Sequence, residues 1–124
     1  MPKVLIVEDN PANMTLATFL VQTAGHTVIS ATDAEAGLTL ARAEQPDLIL
    51  MDIQLPGMDG LEAARQLKRD DATRAIPVIA LTALAMKGDE ERIRAAGCDG
   101  YIAKPLAYRD LFAILNAQLP VARA

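Results

Sequence analysis

The sequence predicts an α/β domain built on an open, doubly wound, five-stranded parallel sheet with helices on both faces. Three observations carry that expectation. Short runs rich in Val, Ile and Leu alternate with segments of helical character along the whole chain. The runs are apolar at successive positions, as strands covered on both faces require. Polar residues gather at the carboxyl ends of the runs, where open parallel sheets bind ligands.

The elements follow in order. Lys3 to Val7 is a β-branched run ending in Glu8-Asp9. Asn10 suits an N-cap and Pro11 a first helical turn, so a helix is expected from about Ala12 to Ala24, closed by Gly25. His26 to Ser30 reads as a second strand. Asp33 caps a second helix that runs to about Glu44, ahead of Pro46. Asp47 to Asp52 is a third strand, nearly all apolar until its last residue. Leu55 to Gly60 is a loop of turn formers, and Leu61 to Lys68 a helix. Ile76 to Leu81 is a fourth strand, followed by Thr82. Lys87 to Ala96 is a charged helix closed by Gly97. Tyr101 to Ala103 is a short fifth strand ending at Lys104-Pro105. Tyr108 to Leu119 is a final helix. The expectation is one domain over 1–124, with residues 119–124 as a frayed tail.

Composition removes several classes of function. Cys98 is the one cysteine, so no internal disulfide framework exists. No apolar h-region follows Met1, and no apolar run nears the roughly 20 residues that span a bilayer. The expected setting is a reducing cytoplasm with no membrane insertion. The net charge of −4 and the absence of Trp argue against nucleic-acid binding, which needs clustered cations or stacking platforms.

The strand ends carry the chemistry. Glu8-Asp9, Asp52 and Lys104 all emerge at one edge of a parallel sheet, with Thr82 after the fourth strand. Clustered carboxylates repel and need a counter-charge. A hard cation such as Mg²⁺ accepts carboxylates, waters and phosphate oxygens together. Lys104 adds a second positive charge, so the edge suits a phosphoryl group on or beside a carboxylate. Taken singly, each carboxylate reads equally well as a helix cap, and Lys104 as a solvated surface residue; the set in this order does not.

These residues resemble the receiver domains of bacterial two-component response regulators. The likeness is carried by residues 4–10, by the stretch from Leu48 through Asp52 to Gly60, by Ala80 to Ala83, and by Tyr101 to Pro105. It covers essentially the whole chain. Residues 85–94 with Gly97-Cys98 look most like those of single-domain cell-division regulators within the family, and receivers inside hybrid histidine kinases carry relatives of that segment. The resemblance implies a flavodoxin-like sheet of order 2-1-3-4-5. It implies Asp52 as phosphoacceptor, and Glu8, Asp9, Asp52 and the Gln54 carbonyl around Mg²⁺, with Mn²⁺ able to substitute. Thr82 would meet a phosphoryl oxygen, Lys104 would pair with it, and Tyr101 would be the aromatic switch. The Lys104-Pro105 peptide would be cis. Gln54 and Leu84 would tune the phosphoryl lifetime.

The activity implied is transfer of a phosphoryl group from a phosphohistidine to Asp52, aided by alignment and charge compensation. The partners implied are a histidine kinase or histidine phosphotransfer protein and a downstream protein target. The chain would act as a bacterial cytoplasmic monomer, recruited to a membrane-bound kinase. It would be a signalling switch rather than an enzyme, with at most self-phosphorylation and autodephosphorylation. A haloacid-dehalogenase-type hydrolase would need a second acid where Gln54 stands, and a cap. A flavin- or dinucleotide-binding protein would need a Gly- or hydroxyl-rich loop where Glu8-Asp9 stand. A receiver cut from a hybrid kinase is a third alternative, against which the Met1 start and the tail after Leu119 are set.

Other residues read more plainly. His26 is expected to be structural or solvent-exposed. Cys98 is expected to be a packing residue rather than a redox sensor. The pairs Lys87/Glu91 and Glu90/Arg94 have helical i,i+4 spacing worth only about 0.3–0.5 kcal/mol each. In the first helix, Leu16, Ala17, Leu20 and Ala24 form the expected inward stripe. Met14 and Phe19 then fall on an uncharged outer flank beside the Asp52 edge, with Pro105 near the rim, that suits a phosphodonor helix; the alternative is that Phe19 lies over a neighbouring helix as peripheral core.

Overall fold

The computed structural model describes residues 2–83 and 87–119. The elements are β1 (Lys3–Val7), α1 (Pro11–Thr23), β2 (Thr27–Ala31), α2 (Ala34–Glu44), β3 (Leu48–Asp52), α3 (Gly60–Arg69), β4 (Val78–Thr82), α4 (Lys87–Ala95), β5 (Gly100–Ala103) and α5 (Tyr108–Gln118). The strands form one parallel sheet in the order β2-β1-β3-β4-β5, as expected.

Local chemistry sets the helix starts. Asn10, Asp33 and Asp59 each turn a side-chain oxygen to the backbone N–H three residues on, at 3.0, 2.7 and 2.9 Å. Gly25 takes φ 94° just past α1, a left-handed position that a side chain would strain. β4 begins at Val78 rather than Ile76, because Pro77 has no N–H to give a ladder. It also runs through Thr82 instead of stopping before it. The Lys104 N–H donates to the Thr82 carbonyl at 2.7 Å and carries the pairing past the last registered strand residues.

Two cores cover the sheet. Leu5, Val7, Ile49, Met51 and Ala80 pack toward α2, α3 and Ile93 of α4. Val4, Ile6, Leu50, Ile79, Leu81 and Ile102 pack toward α1 and α5, against Leu20, Val21, Leu111 and Leu115. The edge strands β2 and β5 are only partly buried. Lys68 of α3 ties the strand starts together. Its Nζ donates to the Ile76 carbonyl at 2.9 Å and to Asp99 Oδ2 at 2.8 Å, and the same oxygen accepts the Val78 N–H at 2.8 Å.

The inward face of α1 differs from the expected stripe. Ala17, Leu20 and Val21 are buried and Met14 packs against the core, whereas Leu16 is 38% exposed. Ala17 and Ala24 lie near the middle of the face that Met14, Leu20 and Val21 complete, and Leu16, turned about 100° from Ala17, falls beyond its edge. The inward face is centred on Ala17, which draws Met14 in and leaves Leu16 beside Phe19 on the outer flank. Phe19 is 62% exposed, as expected. Glu90 and Arg94 pair at 3.0 Å. Leu84, the Lys87 side chain and the tail 120–124 lie outside the described residues, while Leu119 is buried against the second core.

Candidate functional site

Side-chain alternation explains how the strand ends converge. Glu8 continues the Val4, Ile6 face of β1, Asp52 the Leu48, Leu50 face of β3, and residue 104 the Ile102 face of β5. A period of two sends all three side chains to the α1/α5 side of the carboxyl edge. Thr82 continues the other alternation, that of Val78 and Ala80.

Lys104 Nζ sits between the two carboxylates, 3.0 Å from Glu8 Oε1 and 3.1 Å from Asp52 Oδ2. Glu8 and Asp52 are 1% and 2% exposed. Glu8 Oε1 is ion-paired with Lys104 and has no further hydrogen-bond partner among the described residues. Backbone donors hold the other oxygens. The Asn10 N–H reaches Glu8 Oε2 at 3.1 Å and the Gln54 N–H reaches Asp52 Oδ1 at 2.9 Å. The Lys104-Pro105 peptide is cis, as expected.

Electrostatics register the crowding. Burial pushes the Glu8 carboxyl above its ordinary value, and the Asp52 carboxyl beside it pushes the same way, against Lys104 and the Asn10 N–H. Burial opposes the charge on Lys104, but its two carboxylate partners outweigh burial and hold the ammonium above its ordinary value. Asp9 is exposed at the rim, and ligand oxygens of Glu8, Asp9 and Asp52 all lie within 4.8 Å of one another. Three carboxylates cluster here, and the one ammonium pairs with only two of them. An all-oxygen set with excess negative charge fits a hard divalent cation such as Mg²⁺.

The remaining site residues are placed by the loops and by β4 and β5. Gln54 is exposed. Thr82 is fully buried. Tyr101 is 37% exposed and its hydroxyl donates to Glu90 Oε2 at 3.2 Å. One contributor escaped the sequence reading. A Cβ at Gly60 would overlap the Asp52 carbonyl oxygen and come within 2.6 Å of Ile53 Cα. Only glycine lets α3 start against the backbone of the Asp52 turn. The Asp59-Gly60 pair carried that signal, but a turn-forming glycine and a close-approach glycine look alike in sequence.

His26 is half-buried, with Nδ1 enclosed and without a hydrogen-bond partner among the described residues; burial holds its pKa below the ordinary value. It is remote from the site in the sheet, at the opposite end of β2. Cys98 is also half-buried, and burial with the neighbouring Asp99 pushes its thiol up to about 11. The thiolate is the reactive form. Alkylation by iodoacetamide at neutral pH is therefore expected to run roughly a hundredfold slower than for an unperturbed thiol. Labelling at the free-thiol rate would return Cys98 to the list of reactive groups.

Known proteins resemble this chain over most of its length. The pattern of the response regulator receiver domain matches residues 4–116. The chain is 56% identical over 108 residues to the polar-differentiation response regulator DivK of Brucella anthropi, covering 86% of this chain and 88% of that protein. It is 55% identical over 104 residues to DivK of Brucella ovis, covering 84% and 85%. Among solved structures, the receiver domain of sensor histidine kinase PA1611 of Pseudomonas aeruginosa superposes with a TM-score of 0.88 at 37% identity, over 94% of this chain and 96% of that one. Its active-site cleft holds a coordinated magnesium ion. The Vibrio cholerae chemotaxis protein CheY4 superposes with a TM-score of 0.90 at 27% identity, over 96% and 99%.

Proposed function

Because the chain belongs to the response regulator receiver domain family, whose members are phosphoacceptor signalling switches, we propose that Asp52 is its phosphoacceptor. The observation that carries the reading is the buried pair of carboxylates on one lysine, at a sheet edge where a third carboxylate stands at the rim.

In this reading the Asp52 carboxylate attacks the phosphorus of a phosphohistidine. The new P–O bond forms as the donor's P–N bond breaks. Lys104 offsets the charge of the entering phosphoryl oxygens. Thr82, at the end of the neighbouring strand, turns its hydroxyl to one of them. Glu8, Asp9, Asp52 and the Gln54 carbonyl would hold Mg²⁺, or Mn²⁺ in its place, and the bound ion would neutralise and align those oxygens. The acyl phosphate leaves nearly two negative charges on Asp52. Thr82 and Tyr101 then shift together as a two-state population. The chain would act as one receiver unit and a monomer, in the cytoplasm or recruited to a membrane-bound kinase; no described helix is long and apolar enough to cross a membrane.

Acetyl phosphate tests the acceptor chemistry without a protein donor. Intact mass is expected to show one phosphoryl addition in Mg²⁺ or Mn²⁺ and none in chelator, followed by slow autodephosphorylation. Equal incorporation in chelator would remove the metal from the reading.

A histidine kinase or histidine phosphotransfer protein is the donor class we favour, docked on the outer flank of α1. That flank carries Thr15, Leu16 and Phe19, and no charged residue occurs between Asn10 and Ala24. A Leu16→Lys, Phe19→Glu double variant is expected to keep the acetyl phosphate reaction and lose at least tenfold in transfer from its cognate donor, the loss of about 1.4 kcal/mol or more of contact energy. Undiminished transfer would place the donor elsewhere.

A further inference from the structure

Among the described residues, the tyrosine on β5 is held outward by one side-chain hydrogen bond with α4. Tyr101 donates its hydroxyl to Glu90 Oε2 at 3.2 Å, while Arg94 Nη2 holds Oε1 of the same carboxylate at 3.0 Å. Glu90 is thus fixed from its own helix and presents its second oxygen to the strand. The hydrogen bond also raises the Tyr101 hydroxyl above its ordinary pKa.

The sheet offers little steric resistance to the opposite rotamer. Tyr101 lies opposite Ala80, and Thr82 opposite Ala103. Partners across a parallel ladder point to the same face, so Tyr101 and Thr82 share a face on which the two sheet neighbours are alanines. Hollows flank the ring on both sides, one bordered by Ile93, Arg94 and Cys98 and the other by Ala103, Asp110 and Ala113. On the sheet side only small side chains border the inward path, and the contact that holds the ring in its outward position is polar.

We propose that Glu90 is a latch: by accepting the Tyr101 hydroxyl it stabilises the outward ring and sets the threshold that phosphorylation of Asp52 has to overcome. The inference rests on the reading of Asp52 as acceptor and Tyr101 as switch. Its structural alternative is an exposed hydrogen bond with no bearing on the switch. The two differ in linkage. A latch present only in the resting state lowers the competent fraction, and its removal must tighten binding of any ligand selective for the active state.

Beryllofluoride with Mg²⁺ is the probe, followed by the amide signals of Gly100 and Ile102. Glu90→Ala and Tyr101→Phe are each expected to lower the apparent dissociation constant about threefold, the low end for a hydrogen bond because this one is exposed. The double variant is expected to gain no more than either single one, since both break the same bond. In the unliganded variants the signals of Gly100 and Ile102, which flank the ring-bearing residue in the chain, should already move part of the way toward their bound positions. Unchanged affinity in both single variants, or independent effects that add, would overturn the latch while leaving the acceptor intact. Failure of the parent protein to bind beryllofluoride would overturn the acceptor reading itself, and the latch with it.

Discussion

Asp52→Asn is expected to take up no phosphoryl group from acetyl phosphate in Mg²⁺ and to keep its fold. An amide is no nucleophile at phosphorus, and no other carboxylate among the described residues sits in the same position. Glu8 is as buried but is held by the Asn10 N–H, and Asp9 lies out at the rim. Asn at 52 retains an oxygen for the Gln54 N–H that now reaches Oδ1 at 2.9 Å, so the turn after β3 keeps its anchor. The variant should also melt a few degrees higher without metal, because one of two carboxylates sharing Lys104 has lost its charge. Intact mass and a thermal melt check both statements. Phosphoryl incorporation equal to that of the parent would move the acceptor to another residue.

The largest effect on stability is expected from Lys104→Met. The substitution leaves Glu8 and Asp52, at 1% and 2% exposure, with no cation between them. Breaking a buried pair from one side costs about 3–5 kcal/mol, which for a domain of this size lowers the melting temperature on the order of 10 °C. The pH dependence has a definite sign. Burial and Asp52 already raise the Glu8 carboxyl, and loss of Lys104 removes an influence that lowers it. Between the ordinary Glu value and the raised one, the folded state binds more protons than the unfolded state. Stability therefore falls as pH rises through that window. The deficit of Lys104→Met should be smaller at pH 5 than at pH 8, and Glu8→Gln in the same chain should recover part of it at pH 8. Urea titrations of the three proteins at both pH values decide the matter. A loss below about 1 kcal/mol at pH 8, in the range of an exposed pair, would mean that the site is not desolvated.

The fold was legible because its signals are local. Continuous apolar runs can be buried only in a sheet covered on both sides, and Asn10 and Asp33 announce helix starts within three residues of where they act. Errors arose where a neighbour in space extends or rotates an element. Thr82 belongs to β4 because Lys104 donates to it from across the sheet. Leu16 faces outward because the packing of α1 on the sheet is centred on Ala17.

The same division holds at the site. The linear order of Glu8, Asp9, Asp52, Thr82 and Lys104 already implied one acidic edge with one lysine, since parallel strands must present their carboxyl ends together. Which side of the sheet each side chain takes was settled by strand register, and with it the sharing of one ammonium by two buried carboxylates. The need for glycine at position 60 and the pairing of Tyr101 with Glu90 likewise belong to tertiary structure. Residue types and their spacing declare what chemistry is present along a chain. Distance, burial and shared partners arise only when segments far apart in sequence are packed together, and they decide which of those groups act on one another.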